Sequence, residues 1–176
     1  MSPVATADPA RRSRRGATRT FSLAIAIASL GWSFPGAACQ SLPSIYFGLD
    51  SLAVDAAGQA QLSEFAAEAQ SQLDVLEAVE LVGHSERLGT AEARARIGLA
   101  RAEAVRDLLL ALGMPERLLR TRSAADTAPQ VETDDNVREP RNRRVDLRLT
   151  YTPEALAAQR AERDAAIAAG RPVPLC

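Results

Sequence analysis

The chain has 176 residues and is 47% apolar, enough for one folded domain with an aliphatic core and too apolar for a disordered tail. All 21 basic residues are arginine; 22 residues are acidic and the formal net charge is −1. Five of those arginines lie in residues 1–38 beside a single acid, Asp8, so 16 arginines face 21 acids from residue 39 onward. That acidic surplus argues against a nucleic-acid binder and against purely electrostatic adhesion to an anionic membrane.

In chain order, Arg11, Arg12, Arg14, Arg15 and Arg19 precede the apolar run FSLAIAIASLGWSF, which small residues follow at Gly36-Ala37-Ala38. The run is too short to cross a bilayer comfortably, and the pattern predicts a secretory signal peptide over residues 1–38. Arg14-Arg15 suggests a twin-arginine signal, but the GATRTF that follows fits that pattern poorly, so the export route stays open. Cys39 and Cys176 are the only cysteines, one at the expected mature start and one at the end. In an oxidising compartment the two can bridge. Alternatively, Cys39 is lipidated: Gly36-Ala37-Ala38-Cys39 has the two small residues of a lipobox but lacks its aliphatic residue.

SIYFGL (44–49) is expected to be a strand, and Asp55 to cap a helix carrying Leu62, Phe65, Ala66, Ala69 and Leu73. AVELVG (78–83) alternates as a second strand. Thr90 caps a long helix over 91–112, with an expected apolar stripe of Ala93, Ile97, Ala100, Ala104, Val105, Leu108 and Leu112, stopped by Gly113 and Pro115. LLRTRSA (118–124) and RVDLRLTY (144–151) are further strands, separated by a polar loop, and Thr152-Pro153-Glu154 opens a final helix to about residue 169. This order predicts an α/β fold, helices packed on one face of a mixed sheet, with a domain over 39–151 and a C-terminal helix and tail over 152–176.

No catalytic set stands out. The lone His84, the absence of paired cysteines and the absence of a G-x-S-x-G run argue against nucleophilic catalysis and against zinc, and no cofactor is expected. A recognition site remains. Glu86 follows the second strand, and Arg94 and Arg101 are two turns apart on the following helix, so they share a face. A carboxylate facing guanidinium groups suits a zwitterion, taking its ammonium and its carboxylate in turn.

Gly83-His84-Ser85-Glu86, Gly89, Arg101-Ala102 and Asn142-Arg143-Arg144-Val145 occur in the order of the motifs of the OmpA C-terminal domain family, and Phe47-Gly48-Leu49-Asp50-Ser51 resembles its opening strand. The likeness spans about residues 44 to 151. It implies a βαβαββ sandwich, a place in the periplasm or outer membrane of a diderm bacterium, and non-covalent binding of peptidoglycan through the diaminopimelate of the stem peptide. Other envelope proteins are further expected partners.

By the same resemblance, Glu86 would take the ligand's ammonium and Arg101 its carboxylate, with Arg143, Ser85, Asp50 and Arg94 lining the site. Gly83, His84, Gly89 and Asn142 would be structural, and Arg144 a solvated strand residue. Several positions depart from the family pattern. Glu86 replaces an aspartate and is one methylene longer, Ser85 replaces threonine, Arg94 replaces asparagine, Ile97-Gly98 replace Leu-Ser, and Gly48 replaces an acid. Arg94 and Gly48 favour an alternative in which the domain is a degenerate scaffold that binds another envelope protein.

Overall fold

The structure is a computed structural model and describes residues 43–173; the expected signal peptide, Cys39 and Cys176 lie outside the described residues. Four strands and three α-helices run in the order β1 (Ser44–Tyr46), α1 (Ala56–Gln70), β2 (Leu76–His84), α2 (Ala91–Ala111), β3 (Leu119–Ala125), β4 (Arg144–Tyr151) and α3 (Pro153–Ala168). The sheet order is β1-β4-β2-β3. β4 lies antiparallel to both β1 and β2, while β2 and β3 are parallel. Parallel neighbours need a crossover, and α2 supplies it.

Local chemistry sets the helix starts. Asp55 accepts from the Gly58 amide at 2.8 Å, Thr90 from Ala93 at 3.2 Å and Thr152 from Ala155 at 3.3 Å, each satisfying a donor that the helix leaves unpaired. β1 is shorter than expected. The Gly48–Ser51 turn and the left-handed backbone of Asp50, with φ of 49°, end the extended run after Phe47.

One core joins the sheet to α1 and α2. Ile45, Val79, Leu81, Val145 and Leu147 of the strands pack with Leu62, Phe65 and Ala69 of α1 and with Ala102, Val105 and Leu109 of α2. The fully buried line on α2 is Gly98, Arg101, Ala102, Val105 and Leu109, which shares Val105 with the stripe expected from hydropathy; Leu108 of that stripe packs partly buried against the core, Ala93, Ile97, Ala100 and Ala104 are half-buried, and Leu112 is exposed. A close approach causes the rotation. A Cβ at Gly83 would stand 1.8 Å from the Gly98 carbonyl oxygen, and one at Gly98 would stand 2.4 Å from Ser123 Oγ. Only a pair of glycines lets helix and strand backbones come so near, and that contact turns Gly98 and Arg101 inward.

The opposite sheet face is polar but, at the His84 end, not open. Arg144 is buried, which corrects the expectation of a solvated residue. It donates from Nε and Nη2 to the two oxygens of Asp146 at 2.9 and 3.0 Å, and from Nη2 to the Ala128 carbonyl at 3.2 Å. Asn142 holds the long polar loop against this end. Its Oδ1 accepts from the Gln130 and Val131 amides at 2.8 and 3.0 Å, and its Nδ2 donates to the Val131 carbonyl at 2.8 Å. α3 contributes only Ala166 to the buried residues.

Candidate functional site

The candidate site forms where the ends of β1 and β2 meet the start of β4 and one turn of α2. β2 carries on into His84, Ser85 and Glu86, all buried. Between Gly83 and His84 the pairing with β3 slips by one residue, so that Gly83 faces Ser123 while His84 faces Ala125. Ala125 takes a φ of 47°, a conformation that costs a residue with a Cβ. After this kink Asp126 pairs with Arg87 of the loop after β2 and with Arg94 of α2.

Glu86 and Arg143 are brought into direct contact. Arg143 Nη1 donates to Glu86 Oε1 at 2.7 Å, with Glu86 5% and Arg143 8% exposed. Arg143 Nε also donates to the Phe47 carbonyl at 3.0 Å, while the Phe47 amide donates to the Arg143 carbonyl at 2.9 Å. One guanidinium thus ties the end of β1 and the start of β4 to the loop after β2.

Arg101 reaches the same place from α2. Only 3% exposed, it donates from Nη1 to the His84 carbonyl at 3.0 Å and lies with Cζ 5.6 Å from the centre of the Phe47 ring. A cation held over an aromatic face gains attraction without being neutralised. Burial, and then the charge of Arg143, push its pKa down from the ordinary guanidinium value, whereas Glu86 and Asp50 act in the other direction. Arg101 Nε and Ser85 Oγ are both buried without a hydrogen-bond partner among the described residues. Asp50 is exposed, on the loop that leaves Phe47.

Arg94 is placed differently from the expectation that it opposes Glu86. Its Nε stands 3.0 Å from Asp126 Oδ1 and its Nη1 donates to the Gly89 carbonyl at 3.1 Å. Arg87 Nε approaches the same Asp126 at 3.5 Å. The extra positive charge on α2 is therefore matched by Asp126, a residue that sequence reasoning did not single out. Gly89, at φ of 70°, makes the left-handed turn that leads into Thr90.

His84 is a bracing residue. It is buried with Nε2 3.1 Å from Asp146 Oδ2, in the cluster that includes Arg144 and Ser44, whose Oγ donates to Asp146 Oδ1 at 2.8 Å. Burial alone would raise the Asp146 pKa, but its contacts with His84, Arg144 and Ser44 outweigh this and hold it well below the ordinary carboxylate range. Phe47 opens the FGLDS stretch that resembles the family's first strand, yet sequence reasoning did not single it out as a site residue, because no spacing rule connects its ring to Arg101. Among the described residues, no group of three or more His, Cys, Asp or Glu could hold a metal ion, and no helix is long and apolar enough to cross a membrane.

A sequence model described as the OmpA family matches residues 46–143. Among solved structures, the peptidoglycan-associated lipoprotein from Burkholderia pseudomallei is 31% identical, with a TM-score of 0.54, over 62% of this chain and 89% of that one. The C-terminal domain of Helicobacter pylori MotB has a TM-score of 0.56 at 17% identity, over 70% of this chain and 95% of its own, and shares the fold. The longer periplasmic domain of Helicobacter pylori MotB (residues 78–256) superposes at a TM-score of 0.52 with 16% identity, covering 68% and 78% of the two chains. No curated protein matches the sequence.

Proposed function

Taking as premise that the chain belongs to the OmpA family, we propose that it binds peptidoglycan non-covalently and links the cell envelope to the cell wall. The relative named a peptidoglycan-associated lipoprotein supports the ligand class. The observation that carries the reading is Arg101, a buried guanidinium seated on Phe47, which among the described residues makes one hydrogen bond, to a neutral carbonyl, and leaves its Nε without a partner. Buried donors are nearly always satisfied, and a planar guanidinium suits a carboxylate. In this reading the carboxylate is that of diaminopimelate in the stem peptide. Glu86, Arg143 and Ser85 shape the surroundings of Arg101, and Asp50 stands at the rim. The protein acts by binding, without catalysis, in the periplasm or at the outer membrane of a diderm bacterium.

Co-sedimentation with insoluble diaminopimelate-type peptidoglycan is the test. Arg101→Ala should lose about 2–4 kcal/mol of binding, enough to remove micromolar retention. A folded Arg101→Ala protein that sediments like the unaltered one would refute the assignment.

A further inference from the structure

We propose that the open half of the polar sheet face is a second contact with the wall, taking carboxylates of stem peptides that neighbour the one held at Arg101; this inference rests on the peptidoglycan-binding reading above. Alternation along the strands puts Glu80 of β2, Arg120 and Arg122 of β3, and Asp146 and Arg148 of β4 on the face away from the core. At the His84 end the positive charge is used internally, since Arg144 holds Asp146 and the Ala128 carbonyl. Farther from that end, Arg120, Arg122 and Arg148 are all exposed. The register sets Arg120 and Arg148 on either side of Glu80, with Arg122 next on the same face of β3.

These three guanidinium groups share a single carboxylate. Glu80 Oε2 stands 3.7 Å from Arg122 Nε, beyond hydrogen-bonding distance. Among the described residues the Arg120 side chain donates only to the carbonyl of its neighbour Leu119, at 3.3 Å, and the Arg148 side chain has no hydrogen bond or ion pair. A positive surface thus stands on a chain that from residue 39 onward has 16 arginines against 21 acids. Arginines on an edge strand discourage sheet-to-sheet pairing, which accounts for Arg120 and Arg122 but not for Arg148, because β4 lies inside the sheet. Like charges on neighbouring strands repel, and an anionic partner relieves them. The acidic surplus of the rest of the chain opposes a membrane surface as that partner. Stem peptides repeat their carboxylates along the wall, and a domain held through Arg101 meets further ones at high local concentration. Each contact is exposed and screened, so the face adds avidity while selectivity stays with Arg101.

Co-sedimentation of the full chain with insoluble sacculi across a sodium chloride series tests this. One variant carries Arg120→Gln, Arg122→Gln and Arg148→Gln. A control with the same loss of charge carries Arg160→Gln, Arg163→Gln and Arg171→Gln, exposed residues of α3 and the turn after it. At low salt the sheet-face variant should bind sacculi about tenfold more weakly than the unaltered protein. The gap should close as salt rises, because screening removes the same contacts, and the control should follow the unaltered protein. Free diaminopimelate, followed by calorimetry, should bind the unaltered protein and the sheet-face variant alike, since Arg101 is untouched. Sacculus binding unchanged in the sheet-face variant would overturn the inference and leave the face to another anionic partner. An equal loss in the control would overturn it too, as would weakened binding of free diaminopimelate, which would place the loss at Arg101. No sedimentation of the unaltered protein at any salt would sink the broader reading, and this inference with it.

Discussion

Glu86 and Arg143 are almost wholly buried charges, which are stable only as a pair. Removing one partner should cost about 3–5 kcal/mol, because the other is left buried and uncompensated. Arg143→Met is therefore expected to lower the urea midpoint sharply, and Arg143→Met with Glu86→Leu to recover most of the loss. Simply additive losses would show that the stabilisation comes from the bond to the Phe47 carbonyl instead. Asp146 gives a second prediction, in pH. Its folded pKa lies below the ordinary carboxylate value, so its stabilisation is fully present above about pH 4 and is lost as acid takes the pH down through the folded value. Thermal unfolding of the unaltered protein should thus fall steeply below about pH 4. Asp146→Asn should be less stable at neutral pH but should show a flatter acid limb. Which residues would be charged neighbours was only partly legible from spacing. Spacing nominated Glu86 and Arg101, and the family resemblance added Arg143, but Arg143 facing Glu86 and Asp126 facing Arg94 are pairings between segments far apart in the chain.

Among the elements, α2 shows most clearly where hydropathy stops being informative. Its limits follow from Thr90 and Gly113, and the structure has the helix where those residues put it. Its rotation follows the apolar stripe only in part, because contact between Gly83 and Gly98 outweighs a few alanine and leucine methylenes. Gly98 costs about 1 kcal/mol of helix propensity relative to alanine, yet Gly98→Ala should destabilise by about 1–3 kcal/mol. The new Cβ would meet Ser123 Oγ at 2.4 Å and the Gly83 carbonyl oxygen at 2.9 Å. Adding Ser123→Ala should return part of the loss, since the hydroxyl is one of the two obstacles. Denaturant titration of both variants measures this; no recovery would mean that the carbonyl contact alone decides the cost. Because Arg101 is three residues on from Gly98, the same substitution is expected to weaken peptidoglycan sedimentation by tilting the guanidinium away from Phe47.

For the whole molecule, the expected disulfide and the expected lipid on Cys39 concern residues outside those described, and the two proposals remain distinct. Intact mass of protein taken from the envelope should show either a two-proton loss or an acyl addition; two free thiols would exclude both. The fold class and element order were legible in the sequence alone, since capping residues, strand alternation and Gly–Pro stops act within a few neighbours. The same holds for the motif residues, whose types and order identify a family wherever the chain folds. Tertiary structure alone decided the shortened β1, the inward turn of α2, the burial of Arg144 under the polar loop, and the partners of Glu86 and Arg94. Each of these depends on how closely two distant backbones approach, and periodicity along one segment carries no information about that distance. Two glycines on different elements become a single contact only when the chain brings them together, and that contact determines which charges meet.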